Sequence, residues 1–292
     1  MGHRRSTTGG RPFLFNQVTI IGLGLIGGSL GMALKRGRLA RTVYGIDRDP
    51  RTVREAKAKG AVDQGSIQWS AGLKEAGLVV IATFPSCVAD VAQEVAQSTR
   101  HSFILTDVAS TKEEIVRQLD RLLPDRISFV GGHPMAGSER SGIGAATGTL
   151  FHSAPCIVTP TSRTAPRALS RVRALWGRVG GRVVSLAPSV HDTLVAQVSH
   201  VPHLVAAALV LAADPKALRI SGGGFADATR VALSDPRLWE QVCRTNRDEI
   251  VKSLDRFLKE LKISRGFLVR EQSEFLRRRF ERARQRRSPV HR

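Results

Sequence analysis

Residues 17–47 read QVTIIGLGLIGGSLGMALKRGRLARTVYGID, an apolar strand-like run, a glycine-rich turn, a helical pattern and a second strand-like run that closes on an aspartate. The turn is Gly22-Leu23-Gly24-Leu25-Ile26-Gly27. In such a turn the first glycine permits the tight bend, the second lets a pyrophosphate approach the backbone, and the third permits close helix packing. The following helix offers free N–H groups and the positive end of its dipole. Asp47 ends the next strand twenty residues after Gly27, where a carboxylate accepts hydrogen bonds from the adenosine ribose. A carboxylate repels a 2'-phosphate, so NAD is the expected cofactor rather than NADP, although Arg48 beside it leaves NADP some access.

Outward from this unit, strand-length apolar runs recur at 42–47, 77–83, 102–107, 126–131, 156–160 and 182–186, with helical patterns between them. That rhythm predicts an α/β domain over 17–187, a Rossmann-type doubly wound parallel sheet with helices on both faces. After Pro188 the strand signals stop. Residues 188–283 read as an all-α C-terminal domain, and the width of its apolar stripes predicts that it dimerises. Two domains suit a chain of 292 residues. A basic flexible N-terminus (1–16) and a basic tail (284–292) complete the division. Residues 18–34 follow basic residues as a signal peptide would, but the glycine spacing gives them another use. No apolar run reaches membrane-spanning length, the longest other candidate being 204–213, so no membrane partner is expected.

Lys and Arg number 45 against 25 acids, a formal charge of +20, which raises nucleic acid, anionic membrane and acidic small molecules as partners. Many arginines fall in two terminal clusters, HRRSTTGGR (3–11) and RRRFERARQRRSPVHR (277–292). Neither carries the interleaved aromatics of a stacking platform, so solvated surface is expected and nucleic acid is not; the basic field also suits an acidic substrate. Residues 1–6, MGHRRS, fit a myristoylation pattern only nominally. Cys87, Cys156 and Cys243 are widely spaced and odd in number, which points to a reducing, cytoplasmic setting without a disulfide framework.

Ligands in open parallel sheets bind beyond the carboxyl ends of the strands. Three stretches carry chemistry there. LTDVASTKEE ends a strand at Asp107, and Ser110 with Glu113 has the spacing of a capping box. GGHPMAGSE (131–139) puts His133 at the end of its strand, where an imidazole can take a proton from a substrate hydroxyl. GGGFADATR (222–230) ends on Arg230, whose planar fork suits a carboxylate. His200 and His203, in SHVPH, have i, i+3 spacing that could serve a metal, but no third ligand is evident and none is expected. Arg230 could equally form an interdomain salt bridge.

With DVAST, GGHPMAGSE, HD at 191–192, SHVPH and GGGFADATR following the glycine fingerprint in this order, the chain resembles the prephenate and arogenate dehydrogenase family of tyrosine biosynthesis. The resemblance runs from Val18 into the last helices. It implies NAD-dependent oxidative decarboxylation of prephenate by a homodimer, with His133 as the residue handling the ring hydroxyl and Ser110 helping to place histidine, hydroxyl and nicotinamide. Arg230 would bind a substrate carboxylate, His203 and Gly223 would line the substrate side chain, and His200 and Asp192 would support them. Gly22, Leu23, Gly24, Leu25, Ile26, Gly27 and Asp47 would hold the cofactor. The run TFPSC (83–87) departs from the family wording, with Phe84 and Cys87 where small residues and proline are common. Arogenate or an amino-deoxy relative of prephenate is the alternative substrate. A 6-phosphogluconate or 3-hydroxyacid dehydrogenase would share the fingerprint, but its usual lysine or histidine–glutamate pattern in the second domain is not evident. An NAD-sensing regulator binding nucleic acid through the basic C-terminus is the distant alternative, and it would have no need of His133, Ser110 and Arg230 together.

Overall fold

The computed structural model describes residues 12–288. The basic cluster at 3–11, the pattern at 1–6 and the last four residues of the tail lie outside the described residues. In chain order the elements of the first half are β1 (Phe15–Ile21), α1 (Leu25–Arg36), β2 (Ala40–Ile46), α2 (Pro50–Ala58), β3 (Gln64–Ser66), α3 (Trp69–Leu73), β4 (Leu78–Ile81), α4 (Val88–Gln97), β5 (Phe103–Asp107), α5 (Glu113–Leu122), β6 (Ile127–Pro134), β7 (Pro155–Thr159), α6 (Pro166–Arg178) and β8 (Arg182–Ser185). The second half contains α7 (Pro188–Val195), α8 (Val201–Ala212), α9 (Pro215–Leu218), α10 (Gly223–Thr229), α11 (Pro236–Thr245), α12 (Arg247–Val269) and α13 (Ser273–Arg287).

The strands form one sheet in the order β3-β2-β1-β4-β5-β6-β7-β8. Its first six members are parallel, which is the predicted doubly wound sheet, and β7 is antiparallel to β6. The reversal has a reason in β6. Its first half pairs with β5 up to Val130, and its last four residues, Gly131 to Pro134, run on beyond the end of β5 to pair with β7. His133 therefore stands past the carboxyl edge of the parallel sheet. Strand β3 is too short, and too poor in branched side chains, for periodicity to have marked it.

Both faces of the sheet are buried, as a crossover-connected parallel sheet requires. Along β4, Leu78 and Val80 enter the core packed under α1 and α6, whereas Val79 and Ile81 enter the core packed under α4 and α5. Continuous apolar runs such as LVVI thus mark strands flanked by helices on both sides.

The second half is helical throughout, as predicted. Two features correct the sequence reading. Residues 284–287 belong to α13 rather than to a tail, because alternating Arg and Glu residues such as Arg277, Glu274 and Glu281 pair along that helix. In addition, α7 and α8 join through a π turn at Ala196–His200 into one helix from Pro188 to Ala212, 25 residues that by length and composition could cross a membrane. This corrects the expectation that no apolar run reaches membrane-spanning length; Pro202 does not end the helix, because the wider π turn just before it absorbs a residue that lacks an N–H. This helix packs its buried His191, Asp192 and His200 against the first domain. Its outer side leaves Leu194, Val198, Leu209 and Leu211 exposed, with Leu211 at 86%.

Candidate active site beyond the strand ends

The glycine turn is built as its spacing required. Gly22 has a φ of +91°, and a Cβ there would lie 2.6 Å from the Ala82 carbonyl oxygen. At Gly27 a Cβ would lie 1.9 Å from the Gly22 oxygen, so α1 could not pack so close to β1 with any other residue. At Gly24 nothing lies within 4 Å, which leaves an open approach at the mouth of α1. No side chain caps that helix and its first turn holds no acid, so its N–H groups face an uncontested space. Leu23 is fully buried, while Leu25 and Ile26 are partly exposed. Asp47 sits beside the turn, its Oδ2 accepting the Leu23 N–H at 2.8 Å and its Oδ1 the Asp49 N–H at 3.0 Å. An open cradle at a free helix end with a carboxylate on the neighbouring strand fits a dinucleotide.

Beneath His133, a glycine lets β6 press against β5. A Cβ on Gly132 would lie 2.7 Å from the Asp107 carbonyl oxygen. The Asp107 carboxylate accepts the Gly132 N–H at 3.1 Å and the Ala109 N–H at 3.0 Å, and it pairs with the Lys112 ammonium. Both charged side chains are wholly buried. Burial pulls Lys112 below the ordinary lysine range, against the opposite pull of Asp107.

The predicted capping box at Ser110 is not formed. No side-chain cap from its own segment closes the start of α5. Instead, Asp192 reaches across from α7, its Oδ1 and Oδ2 accepting the N–H groups of Lys112 and Glu113 at 2.8 and 2.9 Å. A carboxylate at a helix N-terminus is favourable, and this one arrives from the second domain. Ser110 is left half-buried and free of the local cap.

The Nδ1 of His133 lies 2.8 Å from the Nε2 of His191, and the Nδ1 of His191 lies 2.7 Å from Asp192 Oδ1. His133 is held well below its ordinary value by burial first, then by His191, Lys112 and His200. His191 is lowered by burial against the upward pull of Asp192. His191 was visible in the sequence only as the first residue of HD.

His200 is completely buried, so it stands behind the site and does not line it as a substrate contact. Its Nδ1 meets Asn246 Nδ2 at 3.1 Å, Asn246 also donates to the Asp192 carbonyl at 2.9 Å, and Nε2 has no partner. Burial lowers His200 to about 4. His203 is half-buried, stacks on Trp239 with centroids 3.4 Å apart, and donates from Nδ1 to the Ser199 carbonyl at 2.9 Å, leaving Nε2 free. Gly223 opens α10 with nothing within 4 Å of a Cβ. Arg230 does form the interdomain ion pair, to Glu139 at 2.8 Å, yet its side chain stays 57% exposed. Glu139, whose role the sequence left open, is held below the usual carboxylate range by its own backbone N–H and by Arg230. In TFPSC, Ser86 donates to Gln241 Oε1 of α11 at 2.6 Å, a link between the halves that sequence reasoning missed. Among the described residues no group of three or more His, Cys, Asp or Glu is placed to hold a metal.

The buried histidines set an acid limit on stability. His200 titrates at about 4 folded against 6.5 unfolded, so between those values the unfolded chain binds more protons and stability falls as pH falls. The loss from His200 is roughly 3 kcal/mol at the bottom of that window, and His133 and His191 add to it in the same direction. Urea midpoints should therefore drop between about pH 6.5 and 4, and His200→Asn should flatten the drop. An equal drop in the variant would show that other groups carry it.

A glycine cradle for a dinucleotide, with a neutral buried histidine and an available arginine beyond the same strand ends, defines a nicotinamide-dependent dehydrogenase. Comparison with known proteins gives the family. The family description "Prephenate dehydrogenase, nucleotide-binding domain" matches residues 30–185, and "Prephenate dehydrogenase, dimerization domain" matches 187–282. The chain is 36% identical over 275 residues to prephenate dehydrogenase of Bacillus subtilis, covering 92% of this chain and 74% of that one. It is 32% identical over 270 residues to cyclohexadienyl dehydrogenase of Zymomonas mobilis, covering 90% and 92%. The crystal structure of prephenate dehydrogenase from Aquifex aeolicus in complex with hydroxyphenyl propionate and NAD+ superimposes with a TM-score of 0.87 at 31% identity, covering 94% of this chain and 98% of that one. The chain belongs to the prephenate dehydrogenase family.

Proposed function

We propose that this protein is an NAD-dependent prephenate dehydrogenase that converts prephenate to 4-hydroxyphenylpyruvate and CO2. The observation that carries this reading is His133, a histidine kept neutral by burial at the end of β6, beyond the same sheet edge as the glycine cradle. Bound NAD supplies the acceptor for the hydride that leaves the hydroxyl-bearing ring carbon. His133 takes the hydroxyl proton as the hydride leaves, and returns it to the ring oxygen once loss of the ring carboxylate as CO2 has left an aromatic phenolate. Because aromatisation drives the reaction, the protein has mainly to orient the substrate and remove one proton. Ser110 helps to place the hydroxyl, Arg230 turns from Glu139 to a substrate carboxylate, and His203 with the turn at Gly223 lines the side chain. Asp47 turns from the Leu23 N–H toward the ribose. His200 acts from behind by packing.

Arg230→Gln tests the substrate half of this reading. Losing a charged, bidentate partner costs about 1.5–3 kcal/mol, so KM for prephenate should rise roughly 10- to 100-fold. NAD affinity should stay near that of the wild type, since Arg230 makes no contact with the glycine turn. An unchanged KM for prephenate would remove Arg230 from the substrate site.

The division at 187/188 falls between β8 and α7 and separates nucleotide binding from substrate capture and assembly. Val198, Leu211, Ile220 and Leu233 of the helical half are large apolar side chains left exposed, of the kind a second copy covers. Light scattering should give twice the 31.7 kDa chain mass; a monomer at working concentration would refute the dimer. The three free thiols suit a cytoplasmic enzyme.

A further inference from the structure

We propose that His191 and Asp192 are positioning residues that fix the tautomer of His133, placing its ring proton on Nδ1 and leaving Nε2 as the proton acceptor. The inference deepens the proposed function and rests on it for its kinetic consequences, but its structural content concerns three side chains and two backbone groups.

The N–H groups of Lys112 and Glu113 can only donate, so the Asp192 carboxylate accepts from both. Its Oδ1 lies 2.7 Å from His191 Nδ1, and an ionised carboxylate has no proton to give. Nδ1 of His191 therefore carries the hydrogen. In a neutral imidazole the other nitrogen is then a bare acceptor. His191 Nε2 lies 2.8 Å from His133 Nδ1, so the hydrogen of that bond comes from His133. Nε2 of His133 is left with its lone pair. It makes no hydrogen bond among the described residues and, unlike Nε2 of His200, it is not sealed as a buried orphan.

This tautomer of His133 requires a neutral His191. Were it protonated, Nε2 would donate to His133, and His133 would present an N–H to the substrate instead of a lone pair. The groups that bear on this come from every packed element. Asp107 and Lys112 flank the start of α5 as a closed ion pair, His133 is on β6, Asp192 and His200 are on the long helix, and Asn246 caps His200 from the start of α12. Burial outweighs Asp192 and holds His191 low. Asp192 thus closes the start of α5 and orients the base with one carboxylate, so that docking of the second domain and readiness of His133 are the same event.

The test is nitrogen-15 NMR of histidine side chains in the full-length protein at neutral pH without substrate, together with steady-state kinetics of His191→Gln and His191→Leu. The expected spectrum has His133 protonated at Nδ1. His191→Gln keeps an acceptor oxygen for that proton and should retain most of kcat. His191→Leu keeps none, and kcat should fall roughly 10- to 100-fold, part of what a positioned base supplies, with KM little changed. Wild-type His133 protonated at Nε2 would overturn the proposal, as would equal kcat in the two variants. If the tautomer is as stated but prephenate is not turned over, the relay stands and the proposed substrate falls.

Discussion

Replacing His133 with asparagine is expected to lower kcat on prephenate by about 10²–10⁴ while leaving NAD affinity and the unfolding midpoint close to wild type. Asparagine can still exchange a hydrogen bond with His191 and fills a similar volume, so the packing under β6 survives. What it lacks is a basic lone pair. The pull of burial on His133 also has a sign that kinetics can read. A base held below its ordinary value remains competent at lower pH, so the acid limb of kcat/KM in the wild type should lie below the ordinary histidine value near 6.5. Loss of NAD binding in His133→Asn would mean that the histidine supports the fold of the cleft; an undiminished kcat would mean that another group takes the proton.

The second large effect is on stability. Lys112→Met leaves the Asp107 carboxylate buried without its cation, and breaking a buried pair from one side costs about 3–5 kcal/mol. Two backbone N–H groups, of Gly132 and Ala109, still serve Asp107, so the lower end is expected, roughly 6–12 °C in Tm for a domain of this size. Asp107→Asn in the Lys112→Met background removes the orphaned charge and keeps an oxygen for one of those two donors, which bond different carboxylate oxygens, so it should recover part of the loss. If the two substitutions add instead, Asp107 and Lys112 do not act as a pair. The pair matters to function through Gly132, whose N–H it holds one residue before His133.

These residues also show what could be read in advance. The turn at Gly22, Gly24 and Gly27 was legible because each glycine answers a local constraint, a left-handed φ, an open approach and a close helix contact, and local constraints leave local signatures. The strands were legible because burial on both faces makes them uniformly apolar, except β3, whose three residues are held by pairing to β2 alone. Ser110 followed a valid local rule that a distant residue displaced. Asp192, eighty residues further along the chain from Lys112, supplies the cap, and nothing within a window around Ser110 could announce it. Lys112 carries no local mark of its burial for the same reason, since only the fold brings β5, β6 and the long helix around it. His133 and Arg230 were found through motif wording, whereas His191 and Gln241 act by contacts between domains.

The glycine cradle and the helical second domain, whose Asp192 caps α5, together oxidise prephenate with NAD. The most direct measurement of this is the rate of NADH formation at 340 nm, a standard nicotinamide signal, with prephenate and with arogenate, each supplied with NAD and with NADP. The expected result is rapid reduction of NAD on prephenate and slow reduction of NADP, because the Asp47 carboxylate beside the glycine turn would repel a 2'-phosphate. Turnover on arogenate alone would contradict the substrate assignment, and no turnover on either would contradict the proposed function as a whole.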